Sequence, residues 1–197
     1  QKPLFENCSE KMILANHSLQ QLNMISDVNY SGKLSSVSLF LNKCVTPMGK
    51  RKFKYSILNP TTDIDYLNKE YDICSHLIQS FCLKDIRVKL TKLTDIEKLY
   101  RKLIIKKITP SDLYYLLGNL DNIKDLYSII KEDDILLDYY SFFVSDTIIQ
   151  DANIIQTALN NALDLEKSKE INTLHFEDNF LKKGYNLEHD SLVEKKM

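Results

Sequence analysis

Apolar side chains recur at steps of three and four residues along most of the chain, which is the spacing of one face of an α-helix. The longest run of such positions follows Thr109 and continues for about five helical turns. Its members are Leu113, Leu116, Leu120, Ile123, Tyr127 and Ile130. A shorter run comprises Ile64, Leu67, Tyr71, Cys74 and Ile78. Both runs predict amphipathic helices that pack through their apolar faces.

The dipeptides Thr46–Pro47 and Thr109–Pro110 mark two helix starts. Threonine is a good N-cap because its hydroxyl accepts a hydrogen bond from the first turn. Proline suits the first helical position because it has no N–H to leave unpaired. The first signal predicts a helix over Met48–Asn59, ended by Pro60.

Two further helix starts carry acidic residues instead of proline. Thr62–Asp65 resembles a capping box and opens the helix of the shorter stripe. Thr94 and Glu97 have the full capping-box spacing, which predicts another helix from residue 96. Helical spacing also covers residues 34–45 and the region 135–168.

The two ends of the chain have a different pattern. Met12–Leu14 is predicted to be a short strand, and Leu174, Phe176 and Phe180 alternate with period two, which predicts an extended segment leading into Gly184. The predicted fold class is therefore mainly α: a helical bundle of long helices with a short extended segment near each end.

The region after residue 131 offers two features that also occur in functional sites. Asp133 and Asp134 are an acidic pair, but adjacent helical residues diverge, so we interpret them as caps or solvated turn residues. The aromatic residues between 139 and 143 are interpreted as helical core, because aromatic side chains dominate burial, rather than as a surface that stacks nucleobases.

The formal net charge of −1 conceals a polarity along the chain. Residues 50–107 carry 14 basic and seven acidic side chains, whereas residues 108–180 carry four basic and 14 acidic ones. A phosphate-binding face in the first segment is one interpretation. We favour a pair of solvated helical faces, because the first segment has neither aromatic interleaving nor a glycine-rich phosphate loop.

The four cysteines, Cys8, Cys44, Cys74 and Cys82, include no Cys-x-x-Cys pair. A chain of 197 residues needs no disulfide staples, so we predict reduced thiols and an intracellular protein, in cytoplasm, nucleus or organelle. A metal site around Cys74, His76 and Cys82 is disfavoured, because Cys74 and His76 point about 200° apart on a helix. Cys74 is instead predicted to be core, with Ile78 and Phe81.

Motifs for catalysis are missing. The sequence has no Gly-x-x-x-x-Gly-Lys-[Ser/Thr] loop, no Gly-x-Ser-x-Gly elbow and no His-Glu-x-x-His helix. Its histidines are scattered, at positions 17, 76, 175 and 189. No run reaches the roughly 18 apolar residues of a membrane span, so no membrane association is expected. By its chemistry alone, the chain is a scaffold or interaction module and not an enzyme.

Four elements in order resemble the core (lever) domain of the MutS family of DNA mismatch-repair ATPases. The first is Thr-Pro-Met-Gly-Lys-Arg followed by Leu-x-Pro. The second is Asp-Ile-Glu-Lys-Leu, the third is Pro-x-Asp-Leu, and the fourth is Gly-Tyr-Asn-Leu. The motif residues are Thr46, Pro47, Met48, Gly49, Arg51, Pro60, Asp95, Glu97, Pro110, Asp112, Gly184 and Tyr185. Upstream, residues 14–23 depart from the family pattern, which places the chain on a divergent branch.

The resemblance implies that residues 1–181 are the first part of a lever domain and that residues 182–197 lead toward a clamp domain missing from this fragment. It implies a parent protein that surrounds DNA with a second MutS-like subunit and that uses ATP and Mg²⁺ in a separate ATPase domain. This chain itself is expected to bind no cofactor or metal, and to bind DNA weakly or not at all.

The residues also leave two other functions open. One is an independent helical adaptor that binds a protein partner through the acidic segment, and the other is an enzyme that uses a metal or a nucleotide. We further expect Gly49 to be required by the close approach of another backbone, and residues 182–197 to be mobile where no partner holds them.

Overall fold

The computed structural model describes residues 11–12, 14–26, 32, 34–145, 147–175 and 179–196, without the side chains of residues 189 and 196. Within these ranges the chain forms helices and no strand, which confirms the mainly α class. The helices are α1 (Asn16–Gln21), α2 (Val37–Leu41), α3 (Pro47–Leu58), α4 (Ile64–Gln79), α5 (Cys82–Thr91), α6 (Ile96–Ile104), α7 (Pro110–Lys131), α8 (Asp134–Phe143), α9 (Ile148–Ala162), α10 (Leu165–Glu170) and α11 (Leu187–Lys196). No described helix is both long and apolar enough to cross a lipid bilayer.

The chain divides into two compact units, Gln1–Lys84 and Asp85–Met197, with the boundary inside α5. In the first unit the chain near its start lies beside the end of α3. The Met12 N–H donates to the Pro60 carbonyl at 2.8 Å, and Lys11 forms an isolated antiparallel bridge with Thr61. The predicted strand is thus reduced to one bridge, and Ile13 lies outside the described residues.

Local capping explains where the helices of the first unit begin. The Thr46 hydroxyl accepts from the Gly49 N–H at 3.0 Å and caps α3, as predicted. α4 is capped by the Asp63 carboxylate, which accepts from the Tyr66 N–H. The helical pattern over 34–45 yields only the short α2, which follows an N-cap at Ser36.

In the first unit, the apolar stripe of α4 is not core, so the interpretation of Cys74, Ile78 and Phe81 as buried was wrong. Cys74 is exposed, Ile78 is 76% exposed and Phe81 is fully exposed. The half-buried face of α4 is displaced around the helix and carries Ile73 and Leu77. The spacing identified a helix correctly, but it did not identify which face the unit covers.

The second unit is organised around α7, which packs against α6, α8, α9 and α10. Its buried apolar side chains are Leu99, Leu117, Leu120, Leu136, Ala152, Ala162, Leu163 and Ile171. Of the described residues in the first unit, only Leu19 is a buried apolar side chain. The main described core therefore belongs to the second unit.

The predicted helical region 135–168 is divided into α8, α9 and α10. Asp133 caps α8 by accepting from the N–H groups of Ile135 and Leu136, as its interpretation as a cap predicted. Asp164 caps α10. Within the aromatic patch, Phe142 and Phe143 are exposed, so only its tyrosines are partly buried and the prediction of core is wrong for both phenylalanines.

The extended segment near the C-terminal end is present as a short pairing. Leu181 bridges Leu163, the Asp164 N–H donates to the Phe180 carbonyl at 2.8 Å, and the Lys182 N–H donates to the Ala162 carbonyl at 2.9 Å. The other residues of the period-two pattern include 176–178, which lie outside the described residues. This pairing covers the turn between α9 and α10.

Candidate functional site

The start of α7 is fixed by a reciprocal capping box. The Thr109 hydroxyl accepts from the Asp112 N–H at 3.2 Å, and the Asp112 carboxylate accepts from the Thr109 N–H at 3.1 Å. Pro110 occupies the first helical position and is buried. This arrangement satisfies two backbone donors that a helix terminus otherwise leaves unpaired.

Asp112 also binds α6 through an ion pair. The Lys102 ammonium donates to both carboxylate oxygens of Asp112, at 2.8 and 2.7 Å. The Asp112 side chain is 12% exposed and that of Lys102 is 33% exposed. Burial raises the pKa of Asp112, but the hydrogen bonds from Lys102 and Thr109 outweigh it and lower the pKa below its ordinary value. The carboxylate is therefore charged when it holds α6 and α7 together.

A second connection joins the chain just before α6 to the middle of α7. The Asn119 amide donates to the Thr94 hydroxyl at 2.7 Å, and its carbonyl oxygen accepts from the Thr94 N–H at 2.9 Å. Asn119 is only 1% exposed. The predicted Thr94–Glu97 capping box is wrong, because the N-cap of α6 is Asp95, which accepts from the Lys98 N–H, while the Thr94 hydroxyl is engaged by Asn119.

The residue that follows α10 is joined to the first turn of α7 by a backbone hydrogen bond. The Ser111 N–H donates to the Ile171 carbonyl at 3.0 Å. Ser168 is completely buried, and its hydroxyl donates to the Asp164 carbonyl at 2.7 Å. We define the α6–α7 junction as Thr94, Lys102, Thr109, Asp112 and Asn119. This junction is a site of mechanical attachment, built from hydrogen bonds and one ion pair.

The motif residues of the first unit lie around α3. A Cβ on Gly49 would lie 2.8 Å from the Thr46 hydroxyl oxygen and 3.4 Å from the Cys44 Cβ. The close neighbour of Gly49 is thus the capping side chain, and not another backbone as expected. Pro47 and Arg51 are exposed, Met48 is half-buried, and Pro60 receives the bond from Met12.

The motif residues near the C-terminal end lie in a turn. Gly184 has a φ of +89°, a conformation that favours glycine, and its N–H donates to the Asp190 carboxylate at 2.7 Å. Lys183 forms an exposed ion pair with Glu194 at 3.1 Å, and Tyr185 is exposed. The side chain of Asp190 therefore connects α11 to the turn that precedes it.

The metal interpretation finds no support in the described ranges, where no three His, Cys, Asp or Glu side chains come close enough to hold an ion. The Cys82 thiol lies 2.9 Å from the Ser80 hydroxyl.

A comparison with protein families decides the assignment. The family described as MutS domain III matches residues 17–195. The chain belongs to this family.

Several curated proteins are similar to this MutS domain III. A mutS homolog of Acanthamoeba polyphaga mimivirus is 31% identical over 193 residues, which cover 95% of this chain and 17% of the relative. The DNA mismatch repair protein MutS of Borrelia turicatae is 29% identical over 192 residues, covering 95% of this chain and 20% of the relative. The DNA mismatch repair protein MutS of Methanosarcina acetivorans is 31% identical over 121 residues, which cover 59% of this chain and 13% of the relative. The chain spans about a fifth or less of the length of these relatives.

Within this MutS domain III, the structure brings Asp112 together with residues that the sequence did not single out. Its partners in the α6–α7 junction are Lys102 and Thr109, of which only Thr109 was expected there, as a cap. Asn119, which bonds Thr94 in the same junction, was not singled out either. Asn119 left a signal, since it lies three residues after Leu116 and four before Ile123 on an otherwise apolar stripe. A polar side chain inside such a stripe predicts a buried hydrogen-bonding partner.

Proposed function

We propose that this MutS domain III is the helical lever of a MutS-like DNA mismatch repair protein, in which it couples a DNA-gripping clamp to an ATPase and catalyses nothing itself. DNA, ATP with Mg²⁺, and a second MutS-like subunit are then bound by other parts of that protein. The single observation that supports this role most strongly is the α6–α7 junction, which attaches a 22-residue helix to α6 and to the segment just before α6, at two separate points.

A coupling element must move as one body, and the junction has the properties that this requires. Asp112 and Asn119 are both buried. Asp112 is bonded by Lys102 of α6, and Asn119 is bonded to Thr94 just before α6. Breaking the Thr94 connection leaves the buried Asn119 amide without a partner, which costs about 1–3 kcal/mol, and breaking the Lys102 connection removes the counter-charge of the buried Asp112 carboxylate. Because packed interiors are poorly compressible, a displacement of α6 is passed to α7 rather than absorbed between them.

The full reading frame that encodes this chain tests the proposal first. A nucleotide-binding P-loop several hundred residues downstream would support the lever of an ATPase. A stop codon directly after Met197 would contradict it and would favour the independent helical adaptor.

A coupling measurement tests the mechanism. In the full-length protein we expect Asn119→Ala to reduce the stimulation of ATP hydrolysis by mismatched DNA at least fivefold, while basal hydrolysis and DNA affinity stay within about twofold, since a coupling free energy of 1–3 kcal/mol corresponds to about 5–150-fold. Asn122→Ala is the matched control, because within the described residues the Asn122 amide donates to the Gly118 carbonyl of its own helix and to no other element. Equal stimulation in the wild-type protein and Asn119→Ala would exclude the junction as the coupling element.

A further inference from the structure

A groove with a volume of about 410 Å³ opens between α7 and α9, within the second unit. α7 contributes Tyr114 and Gly118, which are four residues apart and so lie on one side of the helix. α9 contributes Gln156 and Asn160, which are also four residues apart. Ligand pockets in proteins begin at about 300 Å³, so the groove has room for a few residues of a peptide.

Gly118 is not explained by the packing of α7. It lies inside a 22-residue helix, where alanine is the favoured residue. Its φ is not in the left-handed region, and in the described part of the chain nothing lies within 4 Å of the place that a Cβ would take. Neither a turn nor a close neighbour therefore requires glycine here. The missing side chain leaves the backbone of α7 open to the groove, and glycine allows the backbone of a ligand to approach closely.

The groove also contains hydrogen-bonding groups that the fold does not use. In the described part of the chain, the Asn160 side-chain amide and the hydroxyls of Tyr114 and Tyr115 form no hydrogen bond. The Lys92 ammonium forms neither a hydrogen bond nor an ion pair within the same ranges. A primary amide donates and accepts at once, so the Asn160 side chain is matched to a peptide group.

The two walls of the groove are held in place by other contacts. The Gln156 amide donates to the Asp121 carboxylate and accepts from the Lys124 ammonium, both on α7. The Asn160 carbonyl accepts from the Lys182 ammonium at 2.6 Å. A preformed groove loses little conformational entropy when a ligand binds.

The charges at the groove favour an anionic group. Lys92 lines it, and Lys124 and Lys169 interact with side chains that line it. Asp121 is the one carboxylate in its described lining. Two of these three cations lie in residues 108–180, which have only four basic side chains in all.

We infer that this groove binds a short peptide segment that carries a carboxylate side chain. The peptide backbone passes over Gly118 and bonds the Asn160 amide, and the carboxylate pairs with Lys92. A planar base is a poorer fit, because the Tyr114 ring already has the Lys169 ammonium 5.9 Å from its centre and the Tyr115 ring packed against it. The inference does not depend on the lever role, since it concerns what the chain binds by itself.

The probe is the blocked tripeptide acetyl-Gly-Glu-Gly-amide, titrated into the isotope-labelled 197-residue chain and followed by NMR. We expect saturable shifts of the Gly118 N–H and of the Asn160 side-chain amide, with a Kd on the order of 1 mM, as suits so small a ligand. Acetyl-Gly-Gln-Gly-amide has the same shape without the charge. It should bind at least about fivefold more weakly, because charge-assisted hydrogen bonds are the stronger ones.

Two variants test the assigned residues. Gly118→Met fills the groove and should weaken binding of the glutamate peptide at least tenfold, with an unchanged or raised melting temperature. The matched control is Ser128→Met, which places the same side chain at an exposed position of α7 outside the groove and should keep the wild-type affinity. Lys92→Gln should bind the glutamate and glutamine peptides with equal affinity.

Three results would overturn the inference. The first is the absence of saturable shifts in the wild-type chain, and the second is an affinity that Gly118→Met leaves unchanged. The third is inorganic phosphate shifting the same amides as strongly as the glutamate peptide at equal concentration, which would identify a site for simple anions rather than for a peptide. A change in the coupling of ATP hydrolysis to DNA is not a readout here, so the lever proposal stands or fails separately.

Discussion

Gly49 and Gly118 both lie inside helices, but only Gly49 has neighbours where a Cβ would be. At Gly49 that atom would lie 2.8 Å from the Thr46 hydroxyl that caps α3, whereas at Gly118 nothing lies within 4 Å. Alanine is ordinarily favoured over glycine inside a helix by about 1 kcal/mol. The two positions therefore separate helix propensity from local packing.

We expect Gly118→Ala to raise the free energy of unfolding by about 1 kcal/mol. Gly49→Ala should lower it by about 1 kcal/mol, because displacing Thr46 weakens a cap that contributes about 0.5–2 kcal/mol. Gly49→Leu should lower it by about 1–3 kcal/mol, since it overpacks the same space. Urea unfolding of the three variants provides the measurement. If both alanine substitutions raised the free energy of unfolding equally, the Thr46 side chain would be able to move away from the new Cβ without weakening the cap, and the prediction for Gly49 would be wrong.

At the scale of helices, the attachment of α6 to α7 depends on the ionisation of Asp112. Because the pKa of this carboxyl is lower in the folded chain than its ordinary value, ionisation stabilises the fold. That contribution is complete above the unfolded pKa of about 3.9 and is lost as the pH falls through the lower, folded pKa.

We therefore expect Asp112→Asn to be less stable than the wild-type chain by about 1–3 kcal/mol at pH 7, because charge-assisted hydrogen bonds are lost. The difference in the free energy of unfolding between the variant and the wild-type chain should become smaller as the pH falls below about 4. Denaturant unfolding from neutral to acidic pH measures it. Asp125→Asn is the control. It removes an ion pair with Lys89 at a solvent-exposed position, so its effect on the free energy of unfolding should be small at every pH. A difference that is constant down to the lowest pH would mean that shape, and not charge, explains the effect of the substitution.

Helix starts that depend on neighbouring residues were predictable from the sequence, and connections between helices were not. Thr109 caps α7 as the Thr109–Pro110 signal indicated, because the cap is complete within four residues. Thr94 had an equally good local partner in Glu97, but the fold brings Asn119, 25 residues away in sequence, to its hydroxyl. Local spacing cannot reveal such a competitor, since the competitor arrives only when the helices pack.

At the scale of the whole molecule, the two units differ in how much apolar surface they bury. Leu117, Leu120 and Leu136 are among the buried side chains of the second unit, whereas α3 and α4 contain no buried residue. Amide exchange reflects such differences, because helices with few buried contacts open at lower free energy. The apolar stripe of α4 shows the same limit of prediction, since spacing alone does not determine what covers a face.

We expect amide hydrogen exchange of the whole chain to be slowest in α7 and faster in α3 and α4. Residues 182–196 should exchange fast, because α11 exposes Leu187 and Leu192 and its polar connections to the preceding turn are near the surface. Mass spectrometry of peptides after timed labelling resolves these regions. Uniform protection of 182–196 and α7 would contradict the prediction that the end of the chain is mobile.

The two connections of α7 to its neighbour are seven residues apart, at Asp112 and Asn119. Seven residues are about two turns, so both side chains point within about 20° of the same direction. One connection is to α6 through Lys102 and the other is to the segment before α6 through Thr94, so rolling or sliding of α7 against this part of the chain breaks both, whereas a joint tilt breaks neither. The helix is about 33 Å long, so a tilt of about 5° at its attached end moves its free end by about 3 Å. A change too small to alter any contact at one end is thus large enough at the other to make or break one.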